Sequence, residues 1–439
     1  MKKILLAGSC GLLAAWMPAA YLDMAATEHK EYKVGEEVAF SATAYESAGK
    51  KLTAGKYIIT VKDSGGKRTI KKINVDIAQN NPVKFTASLD RPGFIFAQAS
   101  ALEKADGKSV KWSRKPFSPN AGAAVEPEKI KAGAERPADF NDFWQKGIQE
   151  FKKAKIEVTP APDVKYRDHD VFREDYDVFR VLVNFPDGSG AIDGFLAVPK
   201  KPGKYPALVG VPGAGPGTIT AGIAYAPDGL SLKLFMNVHL FRTARTWNEQ
   251  EKLYAAYNKS FPEGIYTLSK AEDRSKYIYR NVWLAVNRSI DLLLEHKYFD
   301  GKNLAAVGSS QGGGTAIALG GMNPKITVVA ANVPAFCDHH GWKADRSCGW
   351  PQLHSKKKGK ADNTAHYFDA ANFALNIKVP AMFSAGYVDT TCSPSSVYAA
   401  YNNLQGPKQI CQMPRTGHAD TKEFQTGVVE FLNKNLTGK

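Results

Sequence analysis

Residues 308 to 312 read Gly-Ser-Ser-Gln-Gly, a G-x-S-x-G pentapeptide that follows the apolar run Leu304-Ala-Ala-Val307 and precedes small residues suited to a helix. A sharp strand-to-helix turn leaves no room for side chains beside the serine, so glycines flank it, and the turn lifts the hydroxyl over the sheet edge. Ser310 is therefore the candidate nucleophile, and the Gln311 backbone N–H one candidate oxyanion donor. The plainer reading is a glycine-rich turn such as any doubly wound domain contains. Residues further along the chain decide between the two.

A serine on such a turn takes an acidic residue and then a histidine from loops after later strands, in that order. The buried-strand pattern Val379 to Val388 ends at Asp389, and the run Lys408 to Pro414 is followed by Gly417-His418. A lone Asp in a loop is ordinarily an N-cap, and a lone His a packed or surface group. Three such residues in the right order at three strand ends converge on the carboxyl edge of an open α/β sheet. His418 is read as general base and Asp389 as its orienter.

A second glycine-rich loop, Val211-Pro-Gly-Ala-Gly-Pro-Gly217, follows a strand pattern. Its spacing is G-x-G-x-G rather than the dinucleotide G-x-G-x-x-G, and Pro216 sits where a helix should open, so no cofactor is expected. The same position in a hydrolase supplies the second oxyanion N–H. Ala214 is the first choice and Gly215 the alternative. The segment from about Thr218 to Ser275, rich in Tyr, Lys and Asn, is expected to shape the pocket.

The elements that must position these residues alternate strand and helix from 137 to 439. Asp177 to Asn184 with Gly194 to Val198 reads as a hairpin, Ala207 to Val211 and Leu232 to Val238 as strands, and Val282 to Leu294 as a helix leading into the nucleophile strand. This predicts an α/β domain with a mostly parallel, doubly wound sheet. It opens with a helix after Pro137, capped by Asp139 or Asn141, whose Phe143, Trp144, Ile148 and Phe151 form one apolar stripe.

Residues 28 to 113 instead alternate with period two (Val38/Phe40, Tyr57/Ile59/Val61, Ile73/Val75/Ile77, Phe94/Phe96), with turns at Ser64-Gly-Gly66 and Asn80-Asn-Pro82. The pattern predicts a small all-β, immunoglobulin-like sandwich with its aromatics in the core. The Pro-, Ala-, Glu- and Lys-rich stretch 114 to 136 reads as a linker.

The amino terminus, Met-Lys-Lys then Ile4 to Trp16 and Met17-Pro-Ala-Ala20, has the charged, apolar and small-residue regions of a signal peptide, with cleavage near Ala20 or Ala26. This predicts a periplasmic or secreted protein without a membrane span; lipid attachment at Cys10 fits less well, because almost no apolar stretch precedes it. The remaining Cys337, Cys348, Cys392 and Cys411 allow disulfides in an oxidising compartment without requiring them. Cys337, His339, His340 and Cys348 lack the paired Cys-x-x-Cys knuckles of structural zinc, so no metal is expected, and the two histidines read as loop residues near the site. The net charge of +15 includes the run Lys356-Lys-Lys-Gly-Lys360. It is read as a solvated face before an attraction to acidic glycans, and without a basic helix interleaved with aromatics it does not point to nucleic acid.

The second domain resembles the acetyl xylan esterase and cephalosporin C deacetylase group, carbohydrate esterase family 7 of the α/β-hydrolase superfamily. The resemblance runs through Pro137-Ala-Asp-Phe-Asn-Asp-Phe-Trp144, Tyr277-Ile-Tyr-Arg280, Gly308-Ser-Ser-Gln-Gly-Gly313, Pro334-Ala-Phe-Cys-Asp338, Asp389-Thr-Thr-Cys-Ser-Pro394, Tyr398-Ala-Ala-Tyr401 and Gly417-His418. The chain departs from the family where Pro212-Gly-Ala214 replaces its usual His-Gly-Tyr, where Asn237 to Arg242 replaces its Arg-Gly-Gln, and where Ala419 follows the histidine. The resemblance implies a serine esterase that removes acetyl groups from xylan-type poly- or oligosaccharides, and a homo-oligomer. Hydrolysis of bulkier feruloyl or glucuronoyl esters, or of peptides, on the same triad is the alternative; a non-catalytic glycan-binding protein is the second, disfavoured by the intact triad.

Overall fold

The computed structural model describes residues 20–438 apart from 47–48, 65–67, 115–117, 169–170 and 224. The leader, Cys10 and the Gly65-Gly66 turn lie outside the described residues.

The first domain is two antiparallel-based sheets face to face. One joins Tyr21–Ala26, Val38–Tyr45 and Val83–Ala87; the other is built around Lys56–Ser64, Gly93–Ala99 and Asn120–Val125. Burial along Val38–Tyr45 alternates residue by residue, as the period-two pattern requires. Leu22, Met24, Phe40, Ile59, Val61 and Ile95 fill the space between the sheets.

Two boundaries differ from expectation. The first strand, Tyr21–Ala26, begins ahead of residue 28 and pairs with Val38–Tyr45 over its whole length. Asn120–Val125, inside the stretch expected as linker, is a strand hydrogen-bonded between Gly93–Ala99 and Glu31–Tyr32. Its run of small residues reads weakly as a strand, and it is buried because both of its faces are covered. For the same reason Phe94, expected in the sandwich core, faces the other domain, where its ring packs on Tyr387 (4.8 Å) and Tyr398 (5.2 Å).

The second domain carries a nine-stranded sheet. Its strands in chain order are β1 (Ile156–Pro160), β2 (Tyr176–Asn184), β3 (Ala191–Pro199), β4 (Tyr205–Val211), β5 (Leu232–Met236), β6 (Phe299–Ser309), β7 (Val328–Asn332), β8 (Ala381–Gly386) and β9 (Lys408–Met413). Their spatial order is β1-β2-β3-β5-β4-β6-β7-β8-β9. The first three strands run antiparallel to their neighbours and the rest are parallel. The central strands are buried on both faces, which explains why Leu304 to Val307 reads as a continuous apolar run.

The opening helix is Phe140–Phe151, but the Asp139 side chain does not cap it; that carboxylate holds Tyr367 and Arg274 instead. The helix expected over Val282 to Leu294 is two, Ile278–Ser289 and Asp291–Leu294.

Candidate active site

Ser310 stands between β6 and the helix Gln311–Met322 with φ 55° and ψ −118°, a left-handed backbone that a non-glycine residue adopts at a cost of order 1–3 kcal/mol. The strain is held by close packing. A Cβ on Gly308 would fall 2.4 Å from the Gly312 carbonyl, and one on Gly312 would fall 2.3 Å from the Val211 carbonyl oxygen. Ser310 N–H donates to the Asn332 carbonyl (2.9 Å), while its own carbonyl accepts from Ala335 N–H (2.9 Å).

The three residues singled out in the sequence meet. His418 Nε2 lies 2.8 Å from Ser310 Oγ, and His418 Nδ1 lies 2.8 Å from Asp389 Oδ2. Asp389 is buried, and its Oδ1 accepts the amides of Thr391 (2.7 Å) and Cys392 (3.0 Å). With Oδ2 accepting from Nδ1–H, the other ring nitrogen is left to accept the serine proton. The adjacent Cys392 thiol is buried, and burial pushes it well above the usual thiol range, so it stays protonated beside the carboxylate.

The loops that carry Asp389 and His418 leave β8 and β9 side by side, with Gly386 opposite Met413. The first domain braces both, the Asp389 side through Phe94 packed on Tyr387 and the His418 side through polar contacts. Gly122 N–H donates to the Pro414 carbonyl (2.8 Å), Asp23 pairs with Arg415 (2.5 Å), and Gln412 donates to Glu31 (2.8 Å).

On the other side of the serine, β4 pairs with β6 so that Val211 lies opposite Gly308, and the 212–217 loop emerges beside the nucleophile. At Gly213 a Cβ would lie 3.8 Å from Ser310 Cβ. The amides of Ala214 and Gly215 follow directly. Gly215 has φ 144° and Gly217 φ 88°, conformations that favour glycine. Asn237 holds the loop's far end, accepting Thr218 N–H (2.9 Å) and donating to the Thr218 carbonyl (3.1 Å), while Gln250 Nε2 donates to the Pro216 carbonyl (2.6 Å). His239, two residues beyond Asn237, is buried among Phe241, Tyr254, Tyr257 and Tyr266, and burial lowers its pKa to about 4, so it is neutral.

The Gln311 side chain ties the two oxyanion candidates together. Its Nε2 donates to the Pro212 carbonyl (3.4 Å), and its Oε1 accepts from the hydroxyls of Tyr266 and Tyr279. Burial pushes both phenols above their ordinary range, which keeps them neutral donors. Sequence reading reached Tyr279 only within the Tyr277-Ile-Tyr-Arg280 match and Tyr266 only within the Tyr-rich 218 to 275 segment, and gave neither this role. It missed Asn332, which donates to Ser309 Oγ (3.0 Å) and accepts from Ser384 Oγ (2.5 Å), linking the ends of β6, β7 and β8. No local motif marks such residues, since their partners lie on distant strands.

His339 and His340, read as loop histidines, are buried; desolvation lowers them to about 4 and about 3, and Asp369 accepts the His339 amide (2.7 Å). The four described cysteines are unbridged.

This strand order, with a strained serine at the turn after β6 and acid and histidine after β8 and β9, defines an α/β-hydrolase. Two solved acetyl xylan esterases share the fold. That of Paenibacillus sp. R4 superposes with a TM-score of 0.54 at 20% identity over 71% of this chain and 99% of its own. Acetyl xylan esterase 1 of Thermoanaerobacterium sp. JW/SL YS485 gives 0.53 at 20% identity over 70% and 96%. The acetyl esterase Axe7A of Xylanibacter ruminicola is 29% identical over 355 residues, 80% of this chain and 76% of that protein. Residues 126–435 match the acetyl xylan esterase family, and the chain belongs to that family. It is a carboxylic ester hydrolase.

Proposed function

We propose that the protein removes acetyl groups from xylan-type polysaccharides or their fragments through an acyl-enzyme on Ser310. The observation that carries this reading is the continuous hydrogen-bonded relay Ser310–His418–Asp389, 2.8 Å at each step, on a serine in a left-handed turn. As Ser310 Oγ attacks the ester carbonyl, His418 Nε2 takes its proton, and Asp389 stabilises the imidazolium. The Gln311 amide and that of Ala214 or Gly215 donate to the oxyanion. His418 then protonates the departing sugar oxygen, and water repeats the sequence to release acetate and regenerate the serine. Ala214, where the family usually carries Tyr, would leave more room beside the oxyanion and so weakens selection for acetyl over longer acyl groups, which the ester series below tests.

Export is part of the same reading. Tyr21–Ala26 contributes buried Leu22 and Met24 to the sandwich, so a leader removed after Ala20 leaves that core whole whereas removal after Ala26 strips a strand from it.

Acetate release from acetylated xylo-oligosaccharides, beside p-nitrophenyl acetate, butyrate and octanoate, tests the proposal. Acetate is expected from the glycan, with loss of about 10⁶ in rate in Ser310→Ala. Turnover of octanoate with the glycan left intact, or acetate release persisting in the variant, overturns it.

A further inference from the structure

Between the two domains lies an open cleft of about 470 Å³ lined by Arg68 and Arg91 from the sandwich and by Trp342, Asp345 and Arg346 from the segment after β7. None of these residues takes part in the relay or the oxyanion loop. Trp342 is 37% exposed, uncommon for so large an apolar side chain. Its ring is braced: His354 stacks on it at 4.1 Å and 18°, and His354 Nδ1 is itself held by Asp362 at 2.9 Å. Lys343, a flexible neighbour, reaches over the ring at 5.7 Å. Among the described residues no acceptor meets the Trp342 indole N–H.

Charge decides what the cleft suits. Arg68 is bidentate to Asp90 (2.8 and 3.0 Å), Arg91 pairs with Asp63 (2.7 Å) and Asp345 (3.6 Å), and Arg346 pairs with Asp338 (2.7 Å). Every guanidinium already faces a carboxylate, and with Lys343 included four cations stand against the four carboxylates Asp63, Asp90, Asp338 and Asp345, so no net positive charge is left over to hold an anion. What remains is a rigid aromatic surface ringed by spare N–H donors and by the exposed Asp345 carboxylate, whose side chain is 88% exposed. A neutral saccharide offers the matching chemistry: C–H faces for the indole, and hydroxyls that donate to carboxylate and accept from guanidinium.

The cleft also lies within reach of the nucleophile. Ala335 N–H bonds the Ser310 carbonyl, and the chain from Ala335 to Trp342 spans at most about 25 Å even if fully extended.

We propose that this cleft binds a neutral stretch of glycan chain remote from the acetylated unit, with Trp342 as platform and Arg68 and Asp345 as hydroxyl partners. The proposal rests on the polysaccharide reading above. It gives the sandwich a part in recognition, because Arg68 and Arg91 complete a site that the hydrolase domain alone leaves open.

The test is calorimetric titration of full-length Ser310→Ala protein with unacetylated xylohexaose and with a glucuronic-acid-substituted xylo-oligosaccharide. Both are expected to bind with similar Kd, and adding Trp342→Ala is expected to weaken both about tenfold, with a smaller loss in Arg68→Gln and unchanged thermal midpoints. Should Trp342→Ala unfold, Trp342→Leu and Arg68→Gln carry the comparison. Xylohexaose affinity indifferent to these substitutions overturns the site, as does absence of xylohexaose binding. Binding confined to the acidic oligosaccharide and lost in Arg68→Gln makes the cleft an anion site and overturns the neutral assignment. Acetate release by the Ser310 enzyme is a separate readout: if it fails while xylohexaose still binds through Trp342, the esterase substrate falls and the cleft stands.

Discussion

Gly122 of the first domain lies directly against Tyr387, two residues ahead of Asp389: a Cβ at position 122 would fall 2.6 Å from Tyr387 Cβ and 3.0 Å from its carbonyl oxygen. The acid of the relay is thus seated on a backbone contact from a domain that contributes no residue to it. Gly122→Val must displace Tyr387, and overpacking of this kind costs roughly 1–3 kcal/mol. Because a small misplacement of a catalytic group is costly, kcat on p-nitrophenyl acetate is expected to fall at least tenfold, with KM little changed. Wild-type kcat in a folded Gly122→Val protein would show the contact to be incidental.

Gly215 separates backbone strain from crowding. A Cβ there meets nothing within 4 Å, yet φ is 144°. Gly215→Ala is therefore expected to retain the fold and to lose rate through a shifted oxyanion loop, by up to about 3–4 kcal/mol, the amount that one oxyanion donor supplies. Gly188, also at positive φ with open space but far along the chain from the loop, serves as the comparison; Gly188→Ala should leave kcat/KM within about twofold. Equal losses in the two variants would refute the assignment of the 212–217 loop.

Tyr266 and Tyr279 share one acceptor, Gln311 Oε1. Removing one hydroxyl leaves the other in place, so each single Phe variant is expected to lose about 1 kcal/mol of stability. The double variant leaves the buried amide oxygen without either donor and is expected to lose more than the sum, about 1–3 kcal/mol further, with a clear fall in kcat. A double-mutant cycle by denaturant unfolding reads this coupling, and strict additivity argues against a shared strut.

Stability should depend on pH through His339. Its folded pKa, about 4, lies below the ordinary histidine value because burial disfavours the charged ring. The unfolded chain therefore binds the extra proton, and the stabilisation is complete above about pH 6.5 and is lost as pH falls toward 4, on the order of 3 kcal/mol. Thermal midpoints of the wild type and His339→Gln across that window should converge at acid pH. Parallel curves would mean that another group sets the acid limb.

The order of residues is enough to bring Ser310, Asp389 and His418 forward as candidates for nucleophile, acid and base, and folding sets them within hydrogen-bond distance of one another. A serine between glycines, an aspartate and a histidine each stand just past a continuous apolar strand, and parallel strands deliver their carboxyl ends to one edge. The α/β class is equally legible, through strand and helix patterns that differ in period. What surrounds the relay depends on folding in three dimensions. Gly122 against Tyr387, two tyrosines on Gln311, and Asn332 between Ser309 and Ser384 are contacts between residues far apart in the chain, set by how strands stack and leaving no local period to read. Phe94 shows the limit most plainly. Alternation along Gly93–Ala99 distinguishes two faces of a strand, but which face meets the sandwich core and which meets Tyr387 depends on a second domain docking there, and hydrophobicity alone is the same for both.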